Sequence, residues 1–112
     1  MALPVLAAAV AAAGCGTGGI ASGNADQAAG KKLFIANCGS CHTLADAGTQ
    51  GKIGPDLDAA FKYDRKQGFA ESSIRNVVLE QIRIAELPMP ANLVTGQDAE
   101  DVAAYVAAVA GK

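Results

Sequence analysis

Within the stretch FIANCGSCHTLADAG, the five residues Cys38-Gly39-Ser40-Cys41-His42 hold two of the chain's three cysteines and its only histidine. No other feature restricts the fold as much, because the rest of a small domain must serve whatever these side chains bind. A C-x-x-C pair can be a thioredoxin-like redox dithiol or half of a zinc site. Followed directly by histidine, it is the signature of covalent c-type haem attachment. Two thiols three residues apart can each add to a vinyl group of one haem, and the adjacent imidazole is then held beneath the iron. A zinc site wants a fourth ligand, for which only Cys15 remains. A thioredoxin-like pair follows a strand in an α/β pattern, and that pattern is absent. The motif therefore favours haem.

Composition agrees with a cofactor at the centre. A chain of 112 residues is one domain with a modest core, and domains of that size often need a staple. There is no Trp, with three Phe and two Tyr, so aromatic side chains contribute little to that core. Something else is expected to fill the middle. Net charge is −2 with a pI near 5.2 and no basic cluster, which speaks against nucleic acid as a partner.

Three zones follow one another along the chain. Residues 1–14 lie in an uncharged, Ala-rich run that is too short for the roughly 20 residues of a membrane span but suits the apolar region of an export signal. Ala12-Ala13-Gly14-Cys15 resembles the lipobox of bacterial lipoproteins, which makes Cys15 the candidate lipidation site. Simple cleavage and secretion, or a structural helix, are the alternatives. Residues 15–25, rich in Gly, Ser and Asn, read as a flexible linker. The folded domain is expected over 26–112, with Asp26 as a helix N-cap.

Apolar periodicity predicts three helices in that domain. Over Gln27 to about Asn37, the residues Gly30, Phe34 and Cys38 share one face, widened by Leu33. Over Ser73 to Glu86, the residues Ile74, Val77, Val78 and Ile82 recur at helical spacing, leaving Arg75, Glu80 and Arg83 to water. Pro88 should stop that helix. Over Asp98 to about Ala110, the residues Val102, Tyr105, Val106 and Val109 make the best amphipathic stripe of the chain. Asp98, Glu100 and Asp101 crowd its first turn, where the helix dipole favours negative charge. No stretch alternates at period two, so the expected class is all-α.

Met1 aside, the only methionine is Met89, in ELPMPANL between Pro88 and Pro90. A thioether is a weak ligand, so a loop that presents it to iron must hold it with little freedom, and prolines on both sides restrict φ. The alternative is an ordinary core methionine filling a gap.

Taken together, these residues resemble a small class I c-type cytochrome from about Asp26 to Lys112. Cys38, Cys41 and His42 match the haem-binding motif, and Met89 matches the distal methionine. Gly30, Phe34 and Tyr105 match the glycine and aromatics at which the terminal helices cross, where a missing Cβ allows close approach. Ile53-Gly54-Pro55-Asp56-Leu57 resembles the family's G-P-x-L segment, whose proline carbonyl accepts a hydrogen bond from the proximal imidazole. The resemblance implies three to four helices around one haem c attached by two thioethers, with His42 and Met89 as the iron ligands. It departs from the family in lacking a Trp for a haem propionate, which leaves Tyr63, Arg65 or Lys62 to share that work. The segment between Phe61 and Ser73 has no secure counterpart and reads as a solvated face.

The implied function is single-electron transport between respiratory or photosynthetic membrane complexes, not enzymatic catalysis, since His–Met ligation closes the iron and raises its potential. Two alternatives stand beside it. One is a fixed haem subunit of a dehydrogenase or oxidase. The other is a peroxidase or gas-binding haem protein, which would need an open distal site. Redox partners are a membrane donor and a terminal acceptor, met outside the cytoplasm, in the periplasm or at a lipid-anchored position on the membrane's outer face. Lys31, Lys32 and Lys52 lie near the motif in sequence and are candidates to ring an exposed haem edge.

Overall fold

The computed structural model describes residues 24–112. The expected export segment 1–14, the lipidation candidate Cys15 and the linker as far as residue 23 lie outside the described residues.

Helix α1 (Gln27–Asn37) begins where expected. The Asp26 carboxylate accepts from the Ala29 N–H at 3.0 Å and so satisfies one of the amides that a helix start leaves without a partner. Its Gly30 meets helix α4 (Gly96–Val109), the last element. A Cβ at Gly30 would lie 2.6 Å from the Asp101 carbonyl carbon and 2.9 Å from Tyr105 Cβ. Only glycine permits that separation. One turn on, Phe34 packs against Tyr105 with ring centroids 6.2 Å apart and planes tilted by 57°.

Asp101 differs from its sequence reading. Helix α4 starts two residues before Asp98, which puts Asp101 in the second turn, and the side chain is buried. Its Oδ1 accepts from the Asp26 backbone N–H and from Gln97 Nε2, both at 2.9 Å. It thus ties the start of α1 to α4 instead of serving its own helix dipole. The expected stripe of α4 holds, with Val102, Tyr105 and Val106 buried, yet Ala99, Ala103, Ala104 and Ala107 are buried too. The helix is wedged between α1 and helix α3 (Glu71–Ile84), so several of its faces are covered.

Helix α3 ends before Pro88, as predicted, and buries Ile74 and Ile82. Arg75 is a correction. Expected in water, it is only 4% exposed, with Nη2 at 3.6 Å from Glu100 Oε2 on α4. A carboxylate on the neighbouring helix faces the guanidinium, while Arg75 Nε and Glu100 Oε2 have no hydrogen-bond partner among the described residues.

The charged segment after Phe61 belongs largely to helix α2 (Leu57–Lys66), capped by Asp56, whose Oδ1 accepts from the Ala59 N–H at 3.1 Å. Arg65 is not available to a haem propionate. Its Nε donates to the Ala110 carbonyl at 2.7 Å, and Nη2 donates to the Ala107 carbonyl. The last carbonyls of α4 have no partner within their own helix, and a cation is favoured at that end. Gly111, at φ +74°, lies so close to α2 that a Cβ would sit 2.5 Å from the Lys62 nitrogen. Its N–H donates to Asp58 Oδ1 at 2.9 Å.

The all-α class holds, with one small addition. Strand β1 (Thr43–Leu44) pairs antiparallel with strand β2 (Thr49–Gln50) around a 3-10 turn at Ala45–Ala47. Two residues per strand are too few for any alternation to be read in sequence.

Candidate functional site

The carboxyl end of α1 builds the motif. The Cys38 and Gly39 N–H groups both donate to the Phe34 carbonyl, at 2.8 and 3.0 Å, which closes the helix. The Cys41 and His42 N–H groups then turn back onto the Cys38 carbonyl at 3.1 and 3.0 Å. Cys38, Cys41 and His42 therefore project from a single turn. Both cysteines are free thiols. Burial, with a smaller contribution from Cys41, pushes the Cys38 thiol up to about 11. A redox dithiol needs a readily formed thiolate, so this environment is the opposite of a thioredoxin-like one. Among the described residues, no group of three His, Cys, Asp or Glu side chains is arranged to hold a metal ion by itself.

The imidazole of His42 is buried and fixed at one nitrogen. Its Nδ1 lies 2.8 Å from the Pro55 carbonyl oxygen. A carbonyl can only accept, so Nδ1 donates, and the neutral imidazole then has its lone pair on Nε2. The Pro55 carbonyl is thus within hydrogen-bond distance of the imidazole, the pair that the family resemblance implies. Gly54 has a role that the sequence reading did not contain. A Cβ there would come within 2.5 Å of His42 Cε1 and 2.8 Å of Nδ1. The bare backbone lets the ring lie flat against it, while the Gly54 N–H donates to the Cys41 carbonyl at 2.7 Å.

Beside this ring lies a cavity of about 410 Å³, continuous in its lining with a second of about 120 Å³. His42, Leu57, Phe61, Gln81 and Met89 line both. Cys41, Gly54 and Pro55 contribute to the larger, and Cys38, Phe34, Val102 and Val106 to the smaller. Met89 comes from the loop after α3, held by its own N–H to the Glu86 carbonyl at 3.0 Å. The residues fit a haem. Two thiols and an imidazole on one turn, a thioether on a proline-bounded loop and walls that are mostly apolar converge on the same space. Val77, expected in the core, is half exposed because it lines this cavity.

Other candidates fall elsewhere. Tyr63, Lys62 and Arg65 line neither cavity, and neither do Lys31, Lys32 and Lys52. Lys31 Nζ is instead 3.6 Å from Asp46 Oδ2, the carboxylate that also accepts from the Tyr105 hydroxyl at 2.6 Å. Burial, then that hydrogen bond and the charge of Asp46, push the Tyr105 phenol well above its ordinary range. Gln81 reaches the cavity without having been singled out. As an exposed polar residue on a helix it carries no sequence signal.

The comparisons with known proteins agree with this geometry. A profile of the family described as Cytochrome c matches residues 27–110. The chain is 36% identical over 89 residues to a cytochrome c6 of Cyanidioschyzon merolae, a match that covers 79% of each chain. It also resembles the crystal structure of the c-type cytochrome SorU from Sinorhizobium meliloti. There the TM-score is 0.60 at 36% identity, covering 77% of this chain and 92% of that one.

Proposed function

The chain belongs to the cytochrome c family, and we propose that it shuttles single electrons between membrane complexes outside a bacterial cytoplasm. Membership brings one covalently attached haem c, the role of a haem electron carrier and redox proteins as partners. When bound, the haem supplies reversible one-electron exchange. In our assignment Cys38 and Cys41 would hold the haem through thioethers, His42 and Met89 would hold its iron, and Pro55 orients His42 through its carbonyl. The carbonyl raises the basicity of the imidazole, and the apolar walls exclude water.

One observation carries this reading. His42 and Met89, 47 positions apart in the sequence, line the same cavity from different elements. An iron held by both residues would have no position left for a substrate, which favours an electron carrier over a peroxidase or gas-binding protein. The test is the absorption spectrum of the reduced protein with and without carbon monoxide. Wild type should be indifferent, and Met89→Ala should bind the gas. A wild type that binds it readily overturns methionine ligation.

For encounters with partners, two large apolar side chains stand exposed beside the cavity. Ile53, in its lining, is 68% exposed, and Leu87, next to Pro88, is 83% exposed. Exposed apolar side chains at a cavity mouth favour partner contact. We therefore assign the encounter to this rim and expect electron-transfer rates to vary weakly with ionic strength. A steep dependence would restore the lysine ring of Lys31, Lys32 and Lys52. Export and a lipid tether at Cys15 complete the proposal and rest on the sequence of residues 1–15. Mass spectrometry of the native N-terminus tests them, and an unmodified N-terminal peptide would remove the tether.

A further inference from the structure

The hairpin that follows the haem motif is closed by one side chain with several simultaneous contacts. Thr49, half-buried on β2, donates its hydroxyl hydrogen to the His42 carbonyl at 2.8 Å. The same oxygen accepts from the Leu44 N–H at 3.1 Å. Because that N–H occupies the oxygen as an acceptor, the hydroxyl's own hydrogen is directed to His42. The methyl group lies over the motif itself. A Cβ at Gly39 would be 2.6 Å from Thr49 Cγ2. The site has two holds on one residue: the ring of His42 is fixed by the Pro55 carbonyl and its backbone by Thr49.

We infer that Thr49 is a positioning residue for His42, acting through the His42 carbonyl to keep the imidazole in register with Pro55. The carbonyl and the Cα–Cβ bond belong to one residue, so rotation of the peptide unit tilts the ring. A tilt of that kind lengthens a hydrogen bond that now stands at 2.8 Å, at the short side of the N–H···O range. The inference rests on His42 as the iron ligand, and the experiment separates the two ideas.

Haem-loaded wild type, Thr49→Val and Thr49→Ser are compared by NMR in the ferrous state, following solvent exchange of the His42 ring N–H, together with the reduction potential. Valine keeps the shape and removes the hydroxyl. Serine keeps the hydroxyl and removes the methyl. In Thr49→Val, exchange of the ring proton should accelerate about tenfold, equivalent to about 1.4 kcal/mol, and the potential should rise as the imidazole loses basicity. Thr49→Ser should stay within about twofold of wild type in exchange, as expected when one hydroxyl carries the effect. The proposal is overturned if Thr49→Val matches wild type in both readouts, or if serine behaves as valine does. It is also overturned if buried amides of α4 accelerate by the same factor, since the change would then be global. Should Thr49→Val fail to retain haem, Thr49→Ala removes the same hydroxyl without adding bulk, and the same criteria apply. If the wild-type ring N–H shows no haem ring-current shift, the assignment of His42 as ligand fails, whatever Thr49 does.

Discussion

Replacing Gly30 by Ala adds one methyl group at the tightest point of the molecule. The new Cβ would stand 2.6 Å from the Asp101 carbonyl carbon and 2.9 Å from Tyr105 Cβ. Ordinary carbon–carbon contact is about 3.5–4.0 Å, so α1 and α4 must separate by roughly 1 Å. Neither obstacle is the tip of a flexible side chain, so the adjustment falls on helix backbones. Overpacking of this kind costs about 1–3 kcal/mol. Separation also stretches the bond from the Asp26 N–H to the Asp101 carboxylate, now 2.9 Å, and a hydrogen bond to a charged group is worth about 1.5–3 kcal/mol. Against this, alanine improves helix propensity over glycine by about 1 kcal/mol. The net expectation is a loss of about 2–4 kcal/mol, which for a domain of this size lowers Tm by roughly 10–25 °C. Guanidinium titration of the haem-loaded protein, followed by far-ultraviolet circular dichroism, measures it directly. A variant within about 0.5 kcal/mol of wild type, the range of an ordinary surface substitution, would refute the close crossing as a determinant of stability.

Three further outcomes follow from the geometry. Gly54→Ala should push the His42 ring away from Pro55 and shift the reduction potential, with little loss of far-ultraviolet signal; an unchanged potential would contradict the packing of ring on backbone. Arg65→Met should leave the Ala107 and Ala110 carbonyls unpartnered and cost about 1–3 kcal/mol, read by chemical denaturation and by faster exchange of the Gly111 amide. For Tyr105 the sign is set by its raised pKa, caused first by burial and then by Asp46. In the unfolded chain a tyrosine ionises near about 10, while the folded phenol stays neutral, so this stabilisation is complete below that pH and is lost as pH rises towards the folded value. Unfolding free energy should therefore fall with pH above about 10 in wild type, and Tyr105→Phe should lack that component.

Local signals in the sequence carried the elements they directly describe. Helix α1 was legible to the residue because Asp26 caps it and its apolar face has a single period. The haem motif was legible because its chemistry is confined to five adjacent positions; Met89 was nominated from its flanking prolines, and Pro55 came only through the family resemblance. Legibility ended where one helix depends on another. Arg75 sits next to Ile74 on a plain amphipathic pattern, and nothing local states that Glu100 will arrive beside it. Helix α2 has only Leu57 and Phe61 as apolar anchors among its charges, so its period was too sparse to read. Thr49 and Gly54 look like loop residues until the chain folds back on His42. The alanines of α4 escaped notice for a related reason, since Ala is compatible with both faces of a helix.

Those alanines have an entropic consequence. Ala99, Ala103, Ala104 and Ala107 make up half of the eight buried residues of α4. An alanine has no rotamers to lose, whereas long side chains forfeit up to about 2 kcal/mol each when they are immobilised. Much of this helix therefore becomes ordered with almost no side-chain entropy lost. Its enthalpic and hydrophobic return is correspondingly small, at about 0.8 kcal/mol for each buried methyl group. Such a helix can be held tightly in one conformation while contributing little to the depth of the folding well. The depth then has to come from the larger apolar surface that this fold assembles around His42 and Met89.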